Sequence, residues 1–234
     1  MRTLVLWDID HTLVDIGQLS GEIYGDAFRH VTGRPMKRLA DMTGRTDRAI
    51  ISETLELNYI TPTEDILIAF ADELAVQFEA QRELIKRVGR TLAGATTILA
   101  SLAVMPHVIQ SVLTGNMMRI AVLKLDAFDL GKWIDVEIGA YGMDGIDRAM
   151  LVPVAQHRAT EKYGHRFDKE KTILIGDTPN DIKAGRDGGA RVIAVATGSS
   201  SVNELRRGGA DLVLSDLSNH ERAINLIRET ISDG

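Results

Sequence analysis

Two aspartates one residue apart, Asp8 and Asp10, follow directly on the apolar run Leu4-Val5-Leu6-Trp7. Side chains in a strand repeat every second residue, so both carboxylates start on the same side of the backbone. Two anions held that close repel each other unless a cation sits between them. The pair therefore points to a hard metal ion and a carboxylate available for chemistry. Asp8 is the candidate nucleophile, because a carboxylate can attack phosphorus and split hydrolysis into two easier steps through an aspartyl-phosphate. Asp10 is the candidate acid/base, protonating the leaving oxygen and then activating water. Thr12 is placed to hold the loop with its hydroxyl. The plain alternative is that both aspartates merely end a strand in a turn. From this motif alone the two readings stand side by side.

Two further polar clusters have the same position relative to apolar runs. Thr114-Gly115-Asn116 follows Val108-Ile109-Gln110-Ser111-Val112-Leu113. Its hydroxyl and neighbouring backbone N–H groups suit a phosphoryl oxygen at a helix start, though taken alone the cluster reads more readily as a plain N-cap or Ser/Thr turn. The third cluster is Gly176-Asp177-Thr178-Pro179-Asn180-Asp181. Thr178 as N-cap, Pro179 at the first helical position and Asp181 three residues after the cap read as a capping box. That account leaves Asp177 over. Magnesium takes near-octahedral oxygen ligands and keeps several waters, so Asp8, Asp177 and one backbone carbonyl make a plausible protein share. Asp181 then serves the helix and acts as a water-mediated or outer ligand. Arg148, at a helix start, is the candidate cation beside nucleophile and phosphate, with an ordinary surface arginine as its alternative. Arg158 and Lys162 fall on a solvated helical face. The six histidines form no metal-binding spacing, and no Walker-type loop, H-E-x-x-H or glycine fingerprint occurs.

The elements that must position these residues can be read from periodicity. A first strand covers roughly residues 3–8. A long helical stretch follows from about Gly17 to Gly89, in which Ile66, Leu67, Phe70, Leu74 and Phe78 recur at helical spacing within Thr63–Val88. Thr61-Pro62-Thr63-Glu64 marks that helix start, with Pro62 early in the helix. Beyond Gly94 the pattern alternates. A helix over Thr96–Ala103 precedes the strand ending at Leu113. A further helix leads to a short strand at Ile134–Ile138 and a helix over Ala149–Tyr163. Strands at Thr172–Ile175, Val192–Val195 and Leu212–Leu214 then alternate with helices near Pro179–Arg186, at Asn203 and through Ile227. This order predicts an α/β fold with a doubly wound parallel sheet and an inserted all-helical segment. Ligands bind at the carboxyl ends of such strands, where all three polar clusters would gather.

Bulk composition narrows the function classes. With 27 Lys+Arg against 33 Asp+Glu the net charge is −6, which argues against a nucleic-acid-binding surface. The absence of cysteine excludes disulfides, zinc thiolates and thiol nucleophiles. No apolar run is long enough to span a bilayer, and no export signal opens the chain, so a cytoplasmic location is expected.

Taken together, Asp8-Ile9-Asp10-His11-Thr12-Leu13, Leu113-Thr114-Gly115-Asn116 and Gly176-Asp177-Thr178-Pro179-Asn180-Asp181 resemble the first, second and fourth motifs of the haloacid dehalogenase (HAD)-like superfamily of phosphohydrolases. The resemblance spans nearly the whole chain. It implies a Rossmann-like core of residues 1–16 and 90–234 carrying a C1-type helical cap of residues 17–89, as in phosphoglycolate phosphatases and β-phosphoglucomutases. It implies Asp8 as nucleophile and Mg2+ ligand, Asp10 as acid/base that also offers its main-chain carbonyl to the metal, and Asp177 as the remaining protein ligand. Thr114, Gly115, Asn116 and Arg148 would bind phosphate. Met42-Thr43-Gly44-Arg45-Thr46 is similar to a cap substrate loop, with Arg45 meeting a substrate carboxylate or hydroxyl, or standing as a plain loop arginine. Two positions depart from the family. His11 replaces a usual glycine near the cap hinge, and Arg148 stands where the third motif usually has lysine, keeping the charge and adding a planar fork. The expectation is a magnesium-dependent phosphatase acting on a small phosphorylated metabolite. Asp10 argues against dehalogenase chemistry, and Lys37 and Lys86 sit in no motif that would mark a phosphonate hydrolase. A sugar-phosphate mutase would share the same core. A non-catalytic binding protein of this fold is disfavoured by the retained Asp8, Asp10, Thr114 and Asp177.

Overall fold

A computed structural model describes residues 2–232; residues 1, 233 and 234, which the sequence reading assigned to the core, lie outside it. Strand β1 (Thr3–Trp7) is buried along its whole length, as an apolar run covered on both faces must be. It leads through β2 (Val14–Asp15) into the helices α1 (Leu19–Thr32), α2 (Asp47–Leu57), α3 (Glu64–Ala80) and α4 (Arg82–Val88). The chain returns at β3 (Arg90–Thr91) and continues through α5 (Ala95–Ala103), β4 (Val108–Val112), α6 (Met118–Ala127) and α7 (Leu151–Tyr163). It closes with β5 (Thr172–Gly176), α8 (Pro179–Gly188), β6 (Arg191–Val195), α9 (Val202–Gly208), β7 (Leu212–Leu214) and α10 (Glu221–Ser232).

The main sheet is parallel, in the order β4-β1-β5-β6-β7. The alternation within β1 sorts its side chains into two layers. Val5 and Trp7 pack with Ile98 and Leu102 of α5 and Ile227 of α10, while Leu4 and Leu6 pack with Val152, Ala155 and Ala159 of α7. Because β1 has β4 on one side and β5 on the other, the chain order reverses beside it. That is the switch point where a crevice opens at the strand ends.

The helices between β2 and β3 form their own cluster around Tyr24, Phe28, Phe70, Leu74 and Phe78, joined by Met117, Ile120 and Leu123 from the start of α6. β2 and β3 pair antiparallel at the stem of this insert, with Val14 opposite Thr91 and Asp15 opposite Arg90. Among the described residues no helix is long and apolar enough to cross a membrane.

Three local expectations are corrected. The short strand at Ile134–Ile138 is instead two 3-10 turns, 131–133 and 136–138, with a single bridge between Leu113 and Ala140. The Asp135 carboxylate accepts from the Glu137 N–H at 3.2 Å, a local bond that competes with a ladder. The helix over Thr63–Val88 breaks at Gln81, and the bend keeps Phe78 and Ile85 in one cluster. Pro62 lies outside that helix, one residue before the N-cap Thr63.

Candidate active site

The sheet brings the three polar clusters to one edge. The Asp8 N–H donates to the Ile175 carbonyl at 2.8 Å, and Leu113 N–H to the Trp7 carbonyl at 2.9 Å. These bonds carry the parallel ladder just past the strands and seat Asp8 between Thr114 and Asp177. Thr12 donates its hydroxyl to Asp177 Oδ1 at 3.3 Å, holding the loop as its position suggested. After β6, Gly198 comes so close that any Cβ there would collide with Asp177 Oδ2. The residues gather around a cavity of about 650 Å³, within the size range of small-molecule sites.

Asp8 and Asp177 are both buried. Burial, with repulsion from Asp181 and Asp10, pushes the Asp8 carboxyl up to about 7 although Arg148 pulls it down. Burial and the charges of Asp8 and Asp181 push Asp177 up to about 8. Carboxylate oxygens of Asp8, Asp177 and Asp181 lie within 4.8 Å of one another. A buried all-carboxylate cluster in which Asp8 and Asp177 resist ionisation is suited to a hard divalent cation, which would remove the repulsion.

Arg148 is also buried. Its Nη2 is 2.9 Å from Asp8 Oδ1 and 2.5 Å from Asp181 Oδ1, and its Nε has no partner. Burial works against this charge, but the carboxylates of Asp181 and Asp8 outweigh it and hold the guanidinium firmly protonated. The capping box is real as well. Asp181 Oδ2 accepts from the Thr178 N–H at 3.0 Å and from the Thr178 hydroxyl at 2.6 Å. One Asp181 oxygen thus starts α8 and the other orients Arg148, so the capping reading of this residue holds and its second oxygen serves the arginine beside Asp8.

Asp10 has a different set of partners. Lys124 Nζ donates to both of its oxygens at 2.7 Å and to Asn116 Oδ1 at 2.8 Å. Asn116 Nδ2 donates to Asp10 Oδ2 at 2.7 Å and to Thr114 Oγ1 at 2.9 Å. Enclosure by protein works to raise the Asp10 carboxyl, but the charge and hydrogen bond of Lys124 and the bond from Asn116 hold it below the usual carboxylate range. The Thr114 oxygen accepts from Asn116 twice, through N–H and Nδ2, which leaves its own hydrogen to donate to a bound oxygen.

The insert contributes the opposite wall. The loop around Met42–Thr46 sits on the core: Asn180 Nδ2 donates to the Thr43 carbonyl at 3.0 Å, and Asp47 N–H to the Gly115 carbonyl at 2.7 Å. Arg45 lines the cavity, but its guanidinium is engaged by Glu53 at 2.5 Å and by the Asp41 carbonyl at 3.2 Å. Asp47 is buried and accepts from Tyr24 Oη at 2.5 Å and Met117 N–H at 2.6 Å. Burial raises its carboxyl, with both bonds opposing the shift.

Sequence reasoning passed over Lys124, the Tyr24–Asp47 pair and the Thr197-Gly198-Ser199 turn that lines the cavity after β6. Each left a trace. Lys124 occupies the apolar stripe Ile120, Leu123, Lys124, Ala127 of its helix, where a charge demands a partner. The Thr197 turn is the polar end of a fourth parallel strand, subject to the same rule that singled out the other three.

Residues 151–220 match the HAD-hydrolase-like family model. That stretch includes Asp177 and Asp181 and excludes Asp8 and Asp10. No curated protein matches the chain. Solved structures match over nearly the full length. A HAD hydrolase, family IA, variant 3, from Entamoeba histolytica is 19% identical at a TM-score of 0.71, with 97% of this chain and 100% of that one covered. A hydrolase from Pseudomonas syringae is 21% identical at a TM-score of 0.69, with coverage of 97% and 99%. A predicted phosphoglycolate phosphatase from Haemophilus somnus is 17% identical at a TM-score of 0.65, with coverage of 95% and 98%. The chain has the HAD-type α/β fold, as the motif resemblance implied.

Proposed function

We propose that this chain is a magnesium-dependent phosphatase that hydrolyses a small phosphorylated metabolite, a sugar phosphate or a phosphoglycolate-like ester, through an aspartyl-phosphate on Asp8. The observation that carries this reading is the buried Asp8–Asp177 pair, each member resisting ionisation, with the buried Arg148 charge bonded to Asp8. Asp8 and Asp177, with the main-chain carbonyl of Asp10, would hold the ion, and Asp181 would stay behind Arg148. Bound there, Mg2+ supplies charge neutralisation for the transferring phosphoryl group.

The chain's own residues account for the rest. Arg148, with the Thr114 hydroxyl, binds phosphoryl oxygens beside the nucleophile. An Asp8 carboxylate oxygen forms a bond to phosphorus as the ester P–O bond breaks in line with it. The leaving oxygen takes the electron pair of that bond and a proton from the Asp10 carboxyl, which must first take up that proton from solvent against the charge of Lys124. Water then attacks the aspartyl-phosphate, giving its proton to the Asp10 carboxylate, and the P–O bond to Asp8 breaks to release phosphate and restore the carboxylate. Residues 17–89 act as a cap that excludes water and selects the leaving group, with Arg45 as the substrate contact once it is released from Glu53.

Asp8→Asn is expected to lower turnover by at least about a thousandfold with an unchanged circular dichroism spectrum. A variant that kept most of its phosphatase activity would rule out the mechanism. Loss of activity in excess EDTA with recovery on added Mg2+ tests the ion, and net phosphate release without an isomerised sugar phosphate separates a phosphatase from a mutase.

A further inference from the structure

We propose that Lys124 is a positioning residue for Asp10: its ammonium fixes the carboxylate in the single orientation that serves proton transfer at the leaving-group oxygen. This rests on the phosphatase reading above. Lys124 is 1% exposed on a helix whose neighbouring Ile120 and Leu123 pack into the insert's apolar cluster. A lysine is almost never buried so completely without a partner, and an ion pair serving stability alone does as well or better when replaced by apolar side chains. Here all three ammonium hydrogens have acceptors, two on Asp10 and one on Asn116. The Asn116 amide clamps Asp10 Oδ2 at 2.7 Å. The carboxylate is therefore held from two directions while a third of its side chain stays exposed to the cavity. The Phe78 ring of the insert lies 5.4 Å from Nζ and belongs to the cavity wall, so the ammonium is shielded on the insert's side.

The chemistry explains what such a clamp is for. When Asp10 gives its proton to the leaving oxygen, it becomes a carboxylate against an ammonium already in place. The charge that forms is met by a fixed partner rather than by reorganising water. Lys124 keeps its own proton throughout, and no bond to it is made or broken.

The test compares two substrates with the full-length protein in saturating Mg2+. p-Nitrophenyl phosphate has a leaving group that departs without a proton, whereas glycerol phosphate releases an alkoxide that needs one. The ratio kcat/KM covers only the steps up to leaving-group departure, so it isolates the first proton transfer. For Lys124→Met we expect kcat/KM on glycerol phosphate to fall about 100-fold or more, the range of general acid catalysis, with the p-nitrophenyl phosphate value falling less than about tenfold. In an Asp10→Asn background Lys124→Met should add nothing further. An equal loss on both substrates, or an additive loss with Asp10→Asn, would overturn the proposal and leave Lys124 a structural residue. If Lys124→Met does not fold, Lys124→Gln carries the same comparison. Wild-type protein inactive on both substrates and on phosphoglycolate and sugar phosphates would instead defeat the phosphatase reading itself.

Discussion

His11 adopts a backbone φ of 57°, in the left-handed region that costs a side-chain-bearing residue about 1–3 kcal/mol. This gives the reason for the glycine that the resembled family usually carries there. The turn is held in place by the His11 N–H donating to the Val14 carbonyl at 2.7 Å and by Thr197 donating its hydroxyl to the His11 carbonyl at 2.5 Å. Both bonds use the His11 backbone and are kept in a glycine variant. His11→Gly should therefore relieve strain, with part of the gain lost to the greater freedom of glycine in the unfolded chain. We expect a net stabilisation of about 0.5–1 kcal/mol, read from urea unfolding midpoints at constant m-value. A destabilised glycine variant would mean that the imidazole, whose Nδ1 lies 4.0 Å from Asp15 Oδ1, makes a compensating contact.

At the scale of elements, the seam between insert and core is drawn by close backbone approaches. A Cβ on Gly115 would overlap the Arg45 carbonyl oxygen and stand 3.3 Å from Arg148 Nη1. Gly115→Ala should push the Met42–Thr46 loop off the core and disturb the arginine beside Asp8. We expect kcat/KM to fall by on the order of tenfold or more, as small misplacements of reacting groups do. Gly145→Ala, whose Cβ would meet only the Asp147 carbonyl oxygen at 3.8 Å, should leave it unchanged. Equal effects of the two substitutions would show that the seam does not govern catalysis. The same seam explains why Arg45 was readable as a cavity residue but not as a paired one. Its partner Glu53 lies two turns into the next helix, and only the fold of the loop brings the two together.

For the molecule as a whole, the acidic cluster links stability to pH and to metal. Asp8 and Asp177 hold protons up to about 7 and about 8 in the folded, metal-free protein, whereas unfolded aspartates lose theirs near 3.8. Between those limits the folded state binds more protons than the unfolded chain, so its stability falls as pH rises through the window. Asp10, whose carboxyl is lowered, acts in the opposite sense, and its stabilisation is lost only as pH falls below that window. Mg2+ bound as proposed would compete with the protons on Asp8 and Asp177. The rise in Tm on adding millimolar Mg2+ should accordingly be larger at pH 8 than at pH 5.5, and Asp177→Asn should shrink it at both. A Mg2+ shift that is independent of pH would place the ion away from these two carboxylates.

Much of the site was legible because the signals are local. An apolar run that ends in Asp8, Thr114 or Asp177 announces a buried parallel strand with a polar end, and the fold rule for such sheets places those ends together. The capping box at Thr178 and Asp181 was readable for the same reason, being complete within four residues. What sequence could not supply was the cation beside Asp10. Lys124 reaches Asp10 from 114 positions away, and no spacing encodes that pair, whereas Arg148 beside Asp8 was a candidate named from its place at a helix start. Alternation and capping act over a few residues and belong to the sequence by itself. Ion pairing in a crevice depends on which crossover lies over which strand, and that is settled only when the sheet, its helices and the insert have packed.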